Sequence, residues 1–272
     1  YRVVIFENDS SDDTRALLKA WQKRNPKVHL LECTIPDCTL GSLPAYAEGG
    51  CSFNRLERMA NFRNRYLAYA YKHYKKFDYM MVIDIDLKGP WSLDGLSSNF
   101  ASQHWDGVFA YGLHTMPFSF GSFYGMYDVA AYVKDGDLTD HVMSEKGICA
   151  NYMRVNFRDH LFTRKGDPLF PVSSGFGGIA IYKINSLLGS WYDGKTCEHI
   201  RLHKAMAEKG HGSFYINPSF ILLSGHQGPL PLSVLGEVVK KTIFSKSGTS
   251  SKKESGLSGQ KKKIQGLALI NE

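Results

Sequence analysis

The chain has 272 residues, of which 43% are hydrophobic and 22% are charged. This composition is typical of a globular protein with a sizeable core, and it excludes collagen-like, coiled-coil and wholly disordered chains. Of the net charge of +7, eight lysines and two glutamates after residue 237 contribute +6, which leaves only +1 for residues 1–237. The basic character therefore lies in the tail, and the rest of the chain gives no indication of nucleic-acid binding.

Strand-like and helix-like segments alternate along residues 1–237. In chain order the sequence predicts a strand at 2–6, a helix at 10–24, a strand at 28–33, a long amphipathic helix at 53–74, strands at 78–86, 105–112 and 177–183, a helix at 197–210 and a strand at 214–222. This alternation predicts an α/β domain with a mostly parallel central sheet and helices on both faces. Ligands of such sheets bind at the carboxyl ends of the strands.

The cysteines and the tail bear on the protein's surroundings. The five cysteines are scattered and form no C-x-x-C pair, so we expect free thiols rather than a zinc cage or a disulfide framework. Free thiols favour a cytoplasmic protein; the Golgi lumen is the alternative if an N-terminal anchor precedes the chain. Residues 238–272 are rich in Ser, Gly and Lys, which predicts a flexible tail that leads to a further domain or contacts a membrane surface.

Two carboxylates end the most apolar predicted strand. Asp84 and Asp86, on either side of Ile85, follow the run from Met80 to Ile83. Residues two apart point to the same side of an extended chain, so the two carboxylates are predicted to share Mg²⁺ or Mn²⁺. Such an ion could clamp the diphosphate of a nucleotide. The alternative is a solvated strand end, because a D-x-D triplet often arises by chance.

A second acidic cluster and a group of arginines add to this pattern. Glu7, Asn8 and Asp9 follow the first predicted strand, where they could accept hydrogen bonds from a ribose or a base; helix capping is the alternative. On the long helix, Arg58 and Arg63 are candidate ligands of a diphosphate because the guanidinium is planar and always charged. A solvated helix face with ion pairs four residues apart is the alternative for both arginines.

Five motifs occur in a fixed order along the chain: N-D-S-S-D-D-T, R-N-R-x-L-A-x-A, D-x-D, S-G-F-G-G and E-H-x-x-L-x-x-x-M-x-x-K-G. This order resembles the glycosyltransferases of the GT-A fold. It is most similar to the family of the cellulose, chitin and hyaluronan synthases, and to viral and fungal capsule-type glycosyltransferases. The resemblance covers roughly residues 1–228 and implies one GT-A domain over residues 1–237, followed by the tail.

The resemblance also implies a role for each acidic motif. The first acidic turn, which is Glu7-Asn8-Asp9, would hold the uridine or guanosine of a nucleotide-sugar donor. Asp84 and Asp86 would hold the metal ion and the donor diphosphate. A late histidine that completes the metal site would match His226. The implied cofactor is Mn²⁺ or Mg²⁺.

The acceptor side and the catalytic base are implied in the same way. The family's small-residue acceptor loop matches Ser173 to Gly178, including Ser174, Gly175, Phe176 and Gly177, where glycine would let a sugar approach the backbone. Trp91 is a further candidate for stacking on a sugar. The family's E-D pair, which supplies the base, matches Glu198 and His199, with histidine in place of the second acid; Glu198 is the predicted base and His199 the alternative.

The implied activity is transfer of a sugar from a UDP- or GDP-sugar, with UDP favoured, to a glycan hydroxyl with inversion. A retaining mechanism remains an alternative, as does a nucleotidyltransferase acting on sugar phosphates, although no Gly-rich phosphate loop follows Phe6. His199 and His203 stand four residues apart and could bind zinc, but the order E-H-x-x-x-H misplaces the base of an H-E-x-x-H enzyme. A binding module without activity would have no reason to keep Asp84, Asp86 and Glu198.

Overall fold

The computed structural model describes residues 1–8, 10–33, 53–85, 87, 89–102, 104–118, 121–134 and 164–226. Within these, side chains are not described at 53–55, 115–118, 121–124 and 225–226. Asp9, Asp86 and the predicted tail at 238–272 therefore lie outside the described residues.

Five helices lie in the described part of the chain, and the longest begins and ends where the sequence predicts. They are α1 (Thr14–Arg24), α2 (Phe53–Tyr74), α3 (Leu93–Ser98), α4 (Ile184–Leu187) and α5 (Glu198–Ala207), with a single 3₁₀ turn at Asn99–Ala101. None of the described helices is both long enough and apolar enough to span a bilayer.

Eight strands complete the described structure and confirm that the protein is of mixed α/β class. They are β1 (Val3–Glu7), β2 (Val28–Glu32), β3 (Tyr79–Ile83), β4 (Gly107–Phe118), β5 (Gly121–Met126), β6 (Phe170–Val172), β7 (Ile179–Lys183) and β8 (Phe214–His226). β1 and β2 form a separate parallel pair, and the others form one sheet in the order β3-β7-β4-β8-β6, with β5 beside β4.

The prediction of a mostly parallel central sheet is wrong. In the larger sheet only β4 and β8 are parallel among the described pairs, while β3–β7, β4–β7, β4–β5 and β6–β8 are antiparallel. The reason is that this sheet is buried on both faces: Ala180 belongs to one core cluster, and its neighbours Ile179 and Ile181 belong to the other. Strands buried on both faces read as continuous apolar runs, which is the usual signature of parallel sheets.

The core positions two helices against one face of the larger sheet. Leu67 of α2 and Ile200 of α5 pack in the same cluster as Val82 of β3 and Phe109 of β4. The end of β3 and the start of α5 are thereby brought to the same side of α2.

The expectation of free thiols is wrong for one cysteine. Cys33, directly after β2, is disulfide-bonded, whereas Cys197 is free and buried. The other three cysteines lie outside the described residues. Scattered spacing could not reveal the bond, because disulfide pairing depends on the distance between two Cα atoms in space.

Candidate active site

A buried arginine joins two of the predicted site residues. Nη2 of Arg63 lies 3.1 Å from Oδ1 of Asp84, and Nε of Arg63 lies 3.0 Å from Oε1 of Glu198. Asp84 directly follows β3, and Glu198 is the first residue of α5. One guanidinium therefore brings together the predicted metal ligand and the predicted base, which lie far apart in the sequence.

Arg63 stands in the middle of the apolar face of α2. Leu56, Ala60 and Leu67 on the same face are buried, and Arg63 itself is 7% exposed. A charge this deep is tolerated only when it is paired, and the two carboxylates supply the pairing. The guanidinium also lies 5.2 Å from the ring centre of Phe176, which adds a cation–π contact.

The guanidinium keeps its charge in this environment. Burial acts to lower the pKa of Arg63, but the nearby Tyr66, Asp84 and Glu198 groups outweigh it and raise that pKa well above its ordinary value. The arginine is thus a permanent cation, and it holds both acids in place.

Asp84 marks the point where β3 leaves the sheet. Its backbone N–H donates to the carbonyl of Gly178 at 3.1 Å, and the next residue, Ile85, is exposed. The predicted strand at 78–86 is present but shorter: β3 ends at Ile83, directly before Asp84. Asp86 lies outside the described residues, and so does the side chain of His226, the last residue of β8.

The donor chemistry of Asp84 fits a hard divalent cation, which prefers carboxylate oxygen. Within the described residues no group of three or more His, Cys, Asp or Glu side chains is arranged to hold a metal. Because two of the three predicted ligands, Asp86 and His226, have no described side chain, the complete metal site stays a prediction.

His199, the alternative base, is a buried neutral ring. It stacks on Phe176 with ring centres 3.8 Å apart, and its Nε2 lies 3.8 Å from Oε1 of Glu198. Neither ring nitrogen has a hydrogen-bond partner among the described residues. Burial, with Arg63 and His203 nearby, lowers the pKa of His199 well below its ordinary value, so the imidazole is uncharged at neutral pH.

His203 is occupied by two hydrogen bonds. Oγ of Ser174 lies 2.7 Å from its Nδ1, and the Tyr182 hydroxyl lies 2.8 Å from its Nε2. Burial lowers the pKa of His203 to about 3. With both nitrogens bonded inside the core, His203 has no free ligand atom for zinc, and the geometry speaks against the zinc pair.

The glycine-rich segment from Ser173 to Gly178 packs tightly on β4. A Cβ built on Gly177, whose φ is +62°, would lie 2.1 Å from the carbonyl oxygen of Ala110, and one on Gly175 would lie 2.7 Å from the ring of Phe109. The protein's own packing therefore explains these two glycines. Contact of this segment with an acceptor sugar stays a prediction.

Glu7 ends β1 and is already fully engaged by its own turn. Its Oε1 accepts the backbone N–H of Ser10 and its Oε2 accepts Nε of Arg15, both at 2.7 Å. Burial raises the pKa of Glu7, but these hydrogen bonds outweigh it and lower the pKa overall. Glu7 thus fixes the turn between β1 and α1, while the first N–H of α1, that of Thr14, is accepted by Asp12. The predicted contacts of Glu7, and of Asn8 directly after it, with the donor nucleotide stay predictions.

Two further predicted residues, Trp91 and Arg58, are partly buried. Trp91 is partly buried, with its ring 6.5 Å from that of Phe220 and its backbone bridged to Leu222. Arg58 is partly buried on α2, five residues before Arg63.

Sequence reasoning missed Asp128, which lies in the turn after β5 with φ of 57°. Burial, together with the charges of Glu198 and Asp84, raises the pKa of Asp128 well above its ordinary value. Asp128 belongs to none of the five motifs, and only the fold places it beside the cluster.

In comparisons with known proteins, no family model and no curated protein matches this chain. The resemblance to GT-A glycosyltransferases therefore rests on the order of the motifs alone.

Proposed function

We propose that the protein is a metal-dependent glycosyltransferase of the GT-A type. It would transfer a sugar from a UDP- or GDP-sugar to a hydroxyl of a glycan, with inversion and with Glu198 as the base. One observation carries the proposal: the buried Arg63 forms ion pairs with both Asp84 and Glu198. These are the two carboxylates to which the motif order assigns donor binding and proton removal.

The position of each acid supports its proposed role. Asp84 stands at the carboxyl end of β3, and its side chain is 23% exposed, so a ligand can reach it from solvent. Glu198 is the first residue of α5 and pairs with Nε of the same guanidinium. The GT-A assignment itself rests on the motif order, since a mixed α/β sheet accommodates many activities.

The chemistry requires a leaving diphosphate and the deprotonation of an acceptor hydroxyl, around an oxocarbenium-like transition state. A divalent ion held by Asp84 and Asp86 would neutralise the departing diphosphate. Glu198 would take the proton of the acceptor hydroxyl as general base. Arg63 fixes the orientation of Glu198 through Oε1. The other oxygen, Oε2, lies 3.9 Å from Sγ of Cys197 and would take the proton.

The proposed partners follow from this activity. They are the nucleotide sugar, with UDP favoured, and a glycan acceptor that would contact the segment from Ser174 to Gly177 and Trp91. Contact of the tail with a membrane surface is a further part of the proposal.

The test is release of nucleoside diphosphate from a panel of UDP- and GDP-sugars, with Mn²⁺ and mixed oligosaccharide acceptors. Glu198→Gln should lower kcat by about 10²–10⁴-fold, the usual contribution of a general base, with little change in the donor KM. Glu208→Gln is the matched control, because Glu208 is exposed at the end of the same helix, 3.9 Å from Lys204. It should keep normal activity.

Full activity of Glu198→Gln would contradict the assignment of the base. Release of pyrophosphate from UTP or GTP in the presence of a sugar phosphate, with no nucleoside diphosphate released from the nucleotide sugars, would show the alternative, a nucleotidyltransferase.

A further inference from the structure

Asp84 has two cationic partners: Arg63 in the structure and a metal ion in the proposed function. Its Oδ1 is paired with Arg63 at 3.1 Å, while the proposed function assigns the same carboxylate to a divalent metal ion. A metal ligand oxygen lies only ~2.1 Å from Mg²⁺, so the ion and the guanidinium of Arg63 would both contact the single carboxylate of Asp84. Two positive charges at that separation in a partly buried site repel strongly.

Arg63 has a second partner to which it can remain bound. Its Nε is paired with Glu198 at 3.0 Å, and the guanidinium lies near the rings of Phe176 and Tyr192. Loss of the Asp84 contact would therefore not leave a buried cation without compensation, which is the costly case. The side chain of Arg63 is 8% exposed and that of Asp84 is 23% exposed, so Asp84 is the member of the pair that solvent ions reach.

We propose that Arg63 is an internal counter-cation that Asp84 exchanges for the divalent ion, leaving Arg63 paired with Glu198 alone. Arg63 is then a positioning residue. It holds the two acids together while the donor site is empty. When the donor's metal ion binds Asp84, the change in the pairing of Arg63 also affects Glu198, the proposed base. This inference rests on the proposed function, because it takes Asp84 as a metal ligand.

Competition between two cations can be measured by the affinity for Mn²⁺ alone, using calorimetry on the folded protein. Arg63→Gln removes the competing charge and should bind Mn²⁺ at least about tenfold more tightly than the unaltered protein. Arg65→Gln is the matched control: it removes the same charge from an exposed position of the same helix and should leave the affinity within about twofold. Asp84→Asn should abolish binding.

A second measurement follows the response of the unaltered protein to Mg²⁺ and uses a variant only to assign the signal. The Nε–H of Arg63, which is buried and bonded to Glu198, should give a protected side-chain signal in ¹H–¹⁵N NMR spectra, assigned by its loss in Arg63→Lys. Saturation with Mg²⁺ should shift this signal because the guanidinium loses Asp84 as a partner and keeps only Glu198.

The outcomes separate this inference from the proposed function. Unchanged or weaker Mn²⁺ affinity in folded Arg63→Gln, or an Arg63 signal that Mg²⁺ does not shift, would overturn the exchange. The metal site itself would still be supported if Mn²⁺ binding were lost in Asp84→Asn. Absence of Mn²⁺ binding to the unaltered protein would overturn both.

Discussion

Nε of Arg63 lies 3.0 Å from Oε1 of Glu198, and the two side chains are each 8% exposed. Removing one partner of such a pair leaves the other charge buried without compensation. Arg63→Met should therefore lower the free energy of unfolding by about 3–5 kcal/mol. Denaturant titration followed by circular dichroism measures the change.

The control for this variant is Arg65→Met on the exposed side of α2, which should change stability by less than about 0.5 kcal/mol. Equal losses in the two variants would show that the buried ion pair contributes nothing beyond an ordinary surface charge.

The glycine-rich segment gives a second prediction. Gly177→Ala would force a side chain into left-handed backbone and place its Cβ 2.1 Å from the Ala110 carbonyl, so it should lose more than about 2 kcal/mol of stability. Gly166→Ala is the comparison: its φ is +98°, but no atom lies within 4 Å of the new Cβ. Thermal unfolding should show a clearly smaller loss for Gly166→Ala. The packing account fails if the two variants unfold alike.

The free energy of unfolding should decrease as the pH is lowered, because His203 is buried in its neutral form. Its pKa is about 3 in the folded protein, below the ordinary value of 6.5, so only the unfolded chain takes up this proton as the pH drops. Its contribution to stability is therefore fully present above pH 6.5 and is lost as the pH falls from about 6.5 towards 3.

The slope of this loss is measurable. Between pH 6 and pH 4, His203 should contribute about 1.4 kcal/mol per pH unit to the free energy of unfolding. In His203→Gln the slope of the free energy of unfolding against pH should be smaller by that amount. In His73→Gln, which alters an exposed histidine of α2, the slope should be that of the unaltered protein. An unchanged slope in His203→Gln would contradict burial of the neutral ring.

The two described cysteines should differ in reactivity. Cys197 is free but buried, and burial and Glu198 raise the pKa of its thiol, so alkylation should require unfolding. Cys33 is disulfide-bonded and should be alkylated only after reduction. Peptide mass spectrometry of native, unfolded and reduced samples distinguishes these states. Labelling of Cys33 in unfolded, unreduced protein would contradict the bond.

Local features of the fold could be predicted from the sequence. The bounds of α2 follow from apolar residues at helical spacing, such as Leu56, Ala60 and Leu67. The apolar run before Asp84 predicted the presence of β3, although the strand ends at Ile83 and not at Asp86. Strand direction could not be predicted in this way. β3 pairs with β7, about a hundred residues later in the chain, and an apolar run carries no information about the direction of its neighbour.

The candidate site was predicted only in part for the same reason. Asp84, Glu198 and Arg63 each stood out by residue type, but nothing local indicated that one guanidinium joins both acids, since its two partners lie 21 and 135 residues away. Asp128 carries no motif, and its left-handed backbone and buried carboxyl arise from the turn after β5.

The most direct test of the central claim is calorimetric binding of UDP and GDP, with Mn²⁺ and again with EDTA. The account predicts that one of them binds only with Mn²⁺, and that Asp84→Asn loses this binding. Asp193→Asn should retain it, because Asp193 pairs with Arg201 at the same 3.1 Å outside the cluster. Binding of neither nucleotide to folded protein, or binding that ignores both EDTA and Asp84→Asn, would contradict the proposed donor site.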